Sequence, residues 1–291
     1  TGGRSDQWAP RLEEYGMLHG PGAADMKGPP AAILVTARHL PPDLPLTLLL
    51  TTDEETTKEG ARRIASGSAL LGRDPPIGIV IAEPTGLCPV RGHRGHAVFR
   101  ATATGIQAHS STGEGDNANW KLLPFLAEMR RLQAMLRDDP AWADPDYTPG
   151  FCDLNLVIDN HGTARNVTVG RATATLLFRF SRRTDAAEID REIRAAADRH
   201  GLALEVETEP LPPELAADHW LVARCVAHAG RPCRTAPYGT DASWLQAIAP
   251  TVILGPGDIA TAHTPHERTP LASLAEAVPL FAALATELGA A

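Results

Sequence analysis

Cysteine is sparse in this sequence. Cys88, Cys152, Cys225 and Cys233 are its only four, and no two have CxxC spacing, which argues against a zinc finger or a redox dithiol. A disulfide among them stays open, with a reducing compartment the simpler expectation. Basic charge is short as well. The 27 Lys and Arg fall below the 35 Asp and Glu, giving a formal net charge of -8, so neither nucleic acid nor a membrane is expected as a partner. That count leaves out bound divalent ions, which would offset part of it. Also lacking is an apolar run approaching the ~20 residues that cross a bilayer. No leader peptide is visible, although the chain opens at Thr1 and a processed leader would leave no trace. The expectation is a cytoplasmic protein. What is present is ordinary: 43% hydrophobic and 21% charged residues, in 291 residues that suffice for one large domain or two smaller ones.

One stretch stands apart. Leu46–Glu55 reads LTLLLTTDEE. Its Leu and Thr predict a strand, Leu46–Thr52, buried inside a mixed or parallel sheet and ending in three consecutive acids, Asp53, Glu54 and Glu55. In open α/β sheets the C-terminal ends of strands are where sites form. Carboxylates packed so closely repel one another, so a cation is expected among them; a solvated turn is the alternative. Upstream, Thr1–Pro21 is polar and glycine-rich and reads as an entering loop. Gly20–Gly28 forms a tight loop carrying Asp25, and a helix over Ala31–Leu40 follows, with Pro29 and Pro30 in its first turn. Downstream, a helix over Lys58–Leu71 leads to a strand, Ile77–Ala82, that ends on Glu83. This rhythm predicts an α/β domain, a mixed sheet covered by helices.

The texture then changes. Arg91–His96, RGHRGH, reads as a basic turn. From His96 to Gly105 apolar and polar residues alternate, as in a half-exposed strand. Trp120–Leu136 has helical spacing. Strands are expected at Cys152–Ile158 and Thr173–Phe180, a helix at Ala186–His200 stopped by Gly201, and a strand at Leu202–Thr208. These make a two-layer α+β module, read as an insert over residues 91–209. Residues 1–90 and 210–291 then form one discontinuous domain. The returning part offers a helix at Leu215–Ala229, a turn carrying Tyr238 and Asp241, a short strand at Thr251–Leu254, and the polar loop Gly255–Glu267 with His263, His266 and Glu267. The apolar helix Leu271–Leu288 closes the chain. Acids and a histidine on strand-end loops suit a divalent ion. Glu54 and Glu55, being adjacent, cannot easily serve one centre alike. One can ligate while the other moves protons, as in metallohydrolases.

The segments GPGAADMKG, TTDEET, EPTGLCPVRGHRGH, AHSS and GPGDIATAHTPHE, in this order across almost the whole chain, resemble the M20 metallopeptidase family. Within it they are most similar to the branch that deacylates amino acids, acetylornithine deacetylase above all, with desuccinylases and carboxypeptidases nearby. The resemblance implies a two-zinc catalytic domain with an inserted lid or dimerisation domain, and a homodimer formed through that insert. It implies two Zn2+ per subunit, with Co2+ or Mn2+ as possible substitutes, and a small N-acylated amino acid as substrate. Asp25 matches the carboxylate that bridges the metals, Glu83 a ligand of the first, and Glu55 and His263 ligands of the second. Glu54 matches the general base. His109 matches the insert's histidine that polarises the scissile carbonyl in the partner subunit's site. Asn166, Arg179, Tyr238 and Asp241 are candidates for holding substrate.

Two departures accompany the resemblance. The family's His-x-Asp motif has no counterpart here, and His19 does not supply one. A further N-terminal piece of roughly seventy to eighty residues is therefore expected in the complete protein. The strand around Arg179 and Ser181 also lacks the Asp-x-Arg pattern common in relatives, which leaves the hold on a substrate carboxylate open. The function expected is hydrolysis of an N-acyl amino acid amide, N-acetylornithine first. The alternatives are another deacylase, desuccinylase or peptidase, or a catalytically silent member acting as a binding or scaffold protein.

Overall fold

The computed structural model describes residues 9–13 and 15–290; the first eight residues of the expected entering loop lie outside them. The chain divides into two compact units. One carries the chain up to His93 and again from Pro213 onward, and the other is Arg94–Pro212.

In chain order, the first unit begins with two short strands, β1 (Arg11–Leu12) and β2 (Met17–His19). Helix α1 (Gly28–His39) starts with prolines in its first turn, where a missing amide costs no intrahelical bond. Helices α2 (Glu59–Gly67) and α3 (Ala69–Arg73) replace the single helix expected over Lys58–Leu71. Ser68 divides them, because its hydroxyl accepts the Leu71 amide and starts a new helix. Strands β3 (Ile79–Ile81) and β4 (Val90–His93) complete this half.

The second unit comprises β5 (Gly95–Thr104), α4 (Ala118–Asp138), β6 (Asp153–Asp159), β7 (Arg171–Phe180), α5 (Ala186–Arg199) and β8 (Ala203–Thr208). Its sheet is antiparallel, in the order β6-β7-β5-β8. In β5 the residues Ala97, Phe99, Ala101 and Ala103 are buried, while Val98, Arg100 and Thr102 are half-exposed. This is the alternation of a sheet with one covered face. That face packs with Leu122, Phe125 and Met129 of α4 and Ile189 and Ile193 of α5.

The chain returns through α6 (Trp220–Ala229), β9 (Arg234–Ala236), α7 (Ala242–Leu245), β10 (Thr251–Ile253), β11 (Arg268–Pro270) and α8 (Leu271–Gly289). A mixed four-stranded sheet runs β3-β10-β4-β9, with β10 parallel to β3 and antiparallel to β4. A separate sheet joins β1, β2 and β11. One apolar cluster sets Ala32 of α1 and Leu221 and Cys225 of α6 against Ala277, Leu280 and Leu284 of α8. A second sets Ile79, Ile81, Val90 and Ile253 against Ala61, Ala242 and Leu245.

Three expectations are corrected here. Residues 46–52 are not a buried strand. They pair with no strand among the described residues, and Leu46, Leu48 and Leu50 are exposed. Strand propensity is local, but a strand is completed by a neighbour that takes its amides and carbonyls. Leu49 alone packs, against the cluster around β3. Residues 91–93 are not a basic turn but part of β4, and His93 is fully buried, its Nε2 accepting the Thr240 amide at 3.2 Å. Finally, α8 is long and apolar enough by length and composition to cross a bilayer. It nevertheless buries Ala277, Leu280 and Leu284 against α1 and α6, and its Glu276 and Glu287 pair with Arg231 and with Arg224 and His228.

Candidate metal centre

The loops that leave the strands of the mixed sheet supply the polar residues. Glu83 lies two residues past β3, beside Gly255, which lies two residues past the parallel β10. The two loops are stitched together: the amides of Thr85 and Leu87 donate to the Gly255 carbonyl at 3.2 and 2.9 Å, and the Gly255 amide donates to Thr85 Oγ1 at 3.2 Å. A side chain at 255 would place its Cβ 2.4 Å from the Ala82 carbonyl, so only glycine lets the backbones approach this closely. The loop then turns through Ile259–Thr261, capped by Asp258, and presents His263 at φ +58°.

Asp25 comes from the turn before α1, which is closed by Ala23 and Gly28 amides donating to Gly20 and Gly22. Glu267 grips this turn. Its Oε1 accepts the amides of Ala24 and Asp25 at 3.0 and 2.9 Å. Glu267 thus holds the backbone of Asp25, whose carboxylate meets His263. Glu55 arrives from the loop after residues 46–52.

These three residues converge. His263 Nε2 lies 2.9 Å from Asp25 Oδ2 and 2.9 Å from Glu55 Oε1, and one ligand atom from each lies within 4.8 Å of the others. Glu54, Glu83 and Asp241 gather around the trio. Burial, with Glu55 next, raises the Asp25 carboxyl above its usual value. Burial pushes Glu54 up to about 7, with Asp241, Glu55 and Asp25 adding to the rise and Lys58 opposing it. Burial raises Glu83 well above the carboxylate range, helped by Asp25, Glu54, Asp241 and Glu55. Burial also lifts Tyr238 to about 12, and its buried hydroxyl has no hydrogen-bond partner. For His263 burial favours the neutral ring, but Glu55 and Asp25 together outweigh it and raise its pKa. Five carboxylates facing one lysine and one histidine leave an excess of negative charge. The donor set, oxygens with one imidazole, fits a hard or borderline divalent cation that would offset that excess.

The remaining candidates are placed as follows. Asp241 is buried and accepts the Thr51 hydroxyl at 2.6 Å, which ties the loop bearing Glu54 and Glu55 to the turn before α7. His266 is exposed and stands outside the trio, its amide bonded to Thr264. His109, Asn166 and Arg179 belong to the second unit. There the Asn166 carbonyl accepts the Ser110 amide at 2.9 Å, so the loops of His109 and Asn166 adjoin. Arg179 lies near the far end of the ten-residue β7, opposite His96 and Asp153, about 26 Å of strand from Arg171 at ~3.3 Å per residue. Burial lowers its pKa. Lys58, half-hidden in sequence behind the run of acids, is buried beside Glu54; its spacing of four residues from Glu54 is the one signal the sequence offers.

Comparison with known proteins agrees with this geometry. The model of "Peptidase family M20/M25/M40" matches residues 2–287. The acetylornithine deacetylase of Proteus mirabilis (strain HI4320) is 32% identical over 266 residues, covering 88% of this chain and 67% of that protein. That of Aliivibrio salmonicida (strain LFI1238) is 32% identical over 261 residues, covering 86% and 68%. The chain thus spans about two thirds of the length of these relatives. The fold is shared with a Staphylococcus aureus tripeptidase at a TM-score of 0.71 and 21% identity, covering 97% of this chain and 76% of that one. It is shared with an M20 metallo-carboxypeptidase from Sulfolobus solfataricus at a TM-score of 0.72 and 14% identity, covering 97% and 79%.

Proposed function

Since the chain belongs to peptidase family M20/M25/M40, we propose that the complete protein is a metal-dependent hydrolase of N-acyl amino acids, with N-acetylornithine as the first substrate to test. The single observation that carries this reading is the convergence of Asp25, Glu55 and His263 from three distant loops, with Glu54 at their side. In this reading the trio holds one divalent ion, and Asp25 and Glu83 contribute to a second. Zinc is the first choice for both, with cobalt or manganese as substitutes. The ions would supply Lewis-acid polarisation of the acyl carbonyl and acidify a water. The chain's own residues do the rest. Glu54, held near neutrality by burial, accepts the proton of the attacking water and returns it to the leaving amine nitrogen. The buried Tyr238 hydroxyl is a donor for the acyl group or the substrate's carboxylate.

In the second unit, the Ser111 amide donates to His109 Nδ1 at 3.3 Å. The Ser111 hydroxyl also lies 2.7 Å from Nδ1; with Nδ1 accepting from both, a neutral ring carries its proton on Nε2, where it can donate to a developing oxyanion. Asn166, on the adjoining loop, is a candidate for the substrate's polar groups, and so is Arg179 at the other end of β7. We assign the homodimer contact to this unit. Its edge strand β6 exposes Leu156, Val157 and Ile158, and α4 exposes Trp120 and Leu123, an open edge of the kind a second copy can extend.

The test is metal analysis of the full-length protein together with turnover of a panel of N-acetyl, N-succinyl and peptide substrates. Divalent metal with hydrolysis of an N-acyl amino acid is the expected outcome. A full-length protein that binds no divalent metal would overturn the reading. One that binds metal but turns over nothing would leave a binding or scaffold role in its place.

A further inference from the structure

Resting on the hydrolase reading above, we propose that Lys58 is a positioning residue for Glu54: its buried ammonium holds the Glu54 carboxylate in the orientation from which it accepts the water's proton. Lys58 is 5% exposed, although lysine is among the residue types least often buried. Its Nζ lies 3.9 Å from Glu54 Oε1, an ionic contact just beyond hydrogen-bonding distance. A buried ammonium is costly unless paired, and Glu54 is one of the groups that Lys58 meets.

The backbone is built to deliver this contact. Asp53 and Lys58 both have left-handed φ, +62° and +51°, a region that side-chain-bearing residues seldom occupy unless their surroundings enforce it. Between them the loop folds back on itself. The amides of Thr56 and Lys58 donate to the Asp53 carbonyl at 3.2 and 2.7 Å, and the Gly60 amide donates to the Thr52 carbonyl at 3.3 Å. A Cβ at position 60 would lie 2.5 Å from the Thr52 amide nitrogen, so the closure depends on glycine. The Thr51 hydroxyl anchors the same loop to buried Asp241. The loop is thus pinned at Thr51, at Asp53 and at Gly60, and Lys58 is turned inward over the residue four positions before it.

Two substitutions test this in the full-length, metal-loaded protein. Lys58→Met keeps the length and removes the charge; Lys58→Arg keeps the charge. The expected result is a kcat at least tenfold lower for the Met variant, with KM and metal content unchanged, and a kcat within a few-fold of the parent for the Arg variant. A Met variant with the parent's kcat, equal losses in both variants, or a loss that follows lost metal would overturn the proposal. Thermal melts in excess chelator at pH 8 give a readout independent of turnover. K58M lowers Tm in the parent protein but not when Glu54 is already Gln; an equal shift in both backgrounds overturns the contact. Should the Met variant not fold, Lys58→Gln takes the same two measurements. If the parent itself hydrolyses nothing, the hydrolase reading fails while the melts still decide the Lys58–Glu54 contact.

Discussion

Replacing Glu54 with Gln should make the metal-free protein less sensitive to alkaline pH. Burial, followed by Asp241, Glu55 and Asp25, raises the Glu54 carboxyl from 4.5 to about 7 in the fold. In the unfolded chain it titrates near its ordinary value, so the fold binds this proton more tightly than the unfolded chain does. The stability this contributes is fully present below about 4.5 and is lost as pH rises through about 7. A shift of that size, at about 1.4 kcal/mol per unit, corresponds to roughly 3 kcal/mol. Gln has nothing to titrate at this position. The stability difference between E54Q and the parent should therefore move toward the variant by roughly 3 kcal/mol between pH 4.5 and 8. Urea titrations of both proteins in excess chelator, at several pH values, measure this difference, and contributions common to both cancel. At a slope of ~2 kcal/mol per molar urea, the relative shift in midpoint is about 1.5 M. Adding zinc should flatten the parent's pH trend, because a cation takes over the proton's task. Parallel stability curves for the two proteins across this range would refute the reasoning.

His263→Ala should remove one of the three converging donors and lower divalent-metal affinity at least tenfold, read by titration calorimetry, with loss of turnover. His109→Ala should reduce kcat by about 10²–10³ while leaving metal content intact; equal metal loss would place His109 in a structural role instead. Phe125→Ala, in the fully buried core of the second unit, should cost about 3–5 kcal/mol, measured by denaturant unfolding. Val157→Lys on the exposed edge of β6 should shift the protein toward monomer in sedimentation experiments without destabilising either unit.

Much of the second unit was legible because its signals are local and long. Ten residues of strict alternation in β5 and seven apolar positions at helical spacing in α4 each declare one element and one buried face. The acids of the candidate site stood out for a different reason: Asp25, Glu54, Glu55 and Glu83 all sit in loops between or before regular elements, and two of them, Asp25 and Glu55, meet at His263. What the sequence hid depends on distant pairing. Residues 46–52 have strand composition but no ladder partner among the described residues. Conversely, β1 and β2 are too short to show a pattern, and they exist because Met17–His19 pairs with Arg268–Pro270. Basic side chains masked β4, where His93 is buried and accepts the amide of the distant Thr240. Lys58 reads in sequence only as the first residue of a helix, and its burial beside Glu54 depends on the fold of the loop before it.

The His93 amide donates to the Pro213 carbonyl at 3.1 Å, so the two cut ends of the first unit already lie side by side. Excising everything from Arg94 to Pro212 would leave a gap that a turn of a few residues can close. The insert is thus a cassette on an existing hairpin stem, and it can be exchanged, enlarged or deleted while every strand of the β3-β10-β4-β9 sheet stays in the chain.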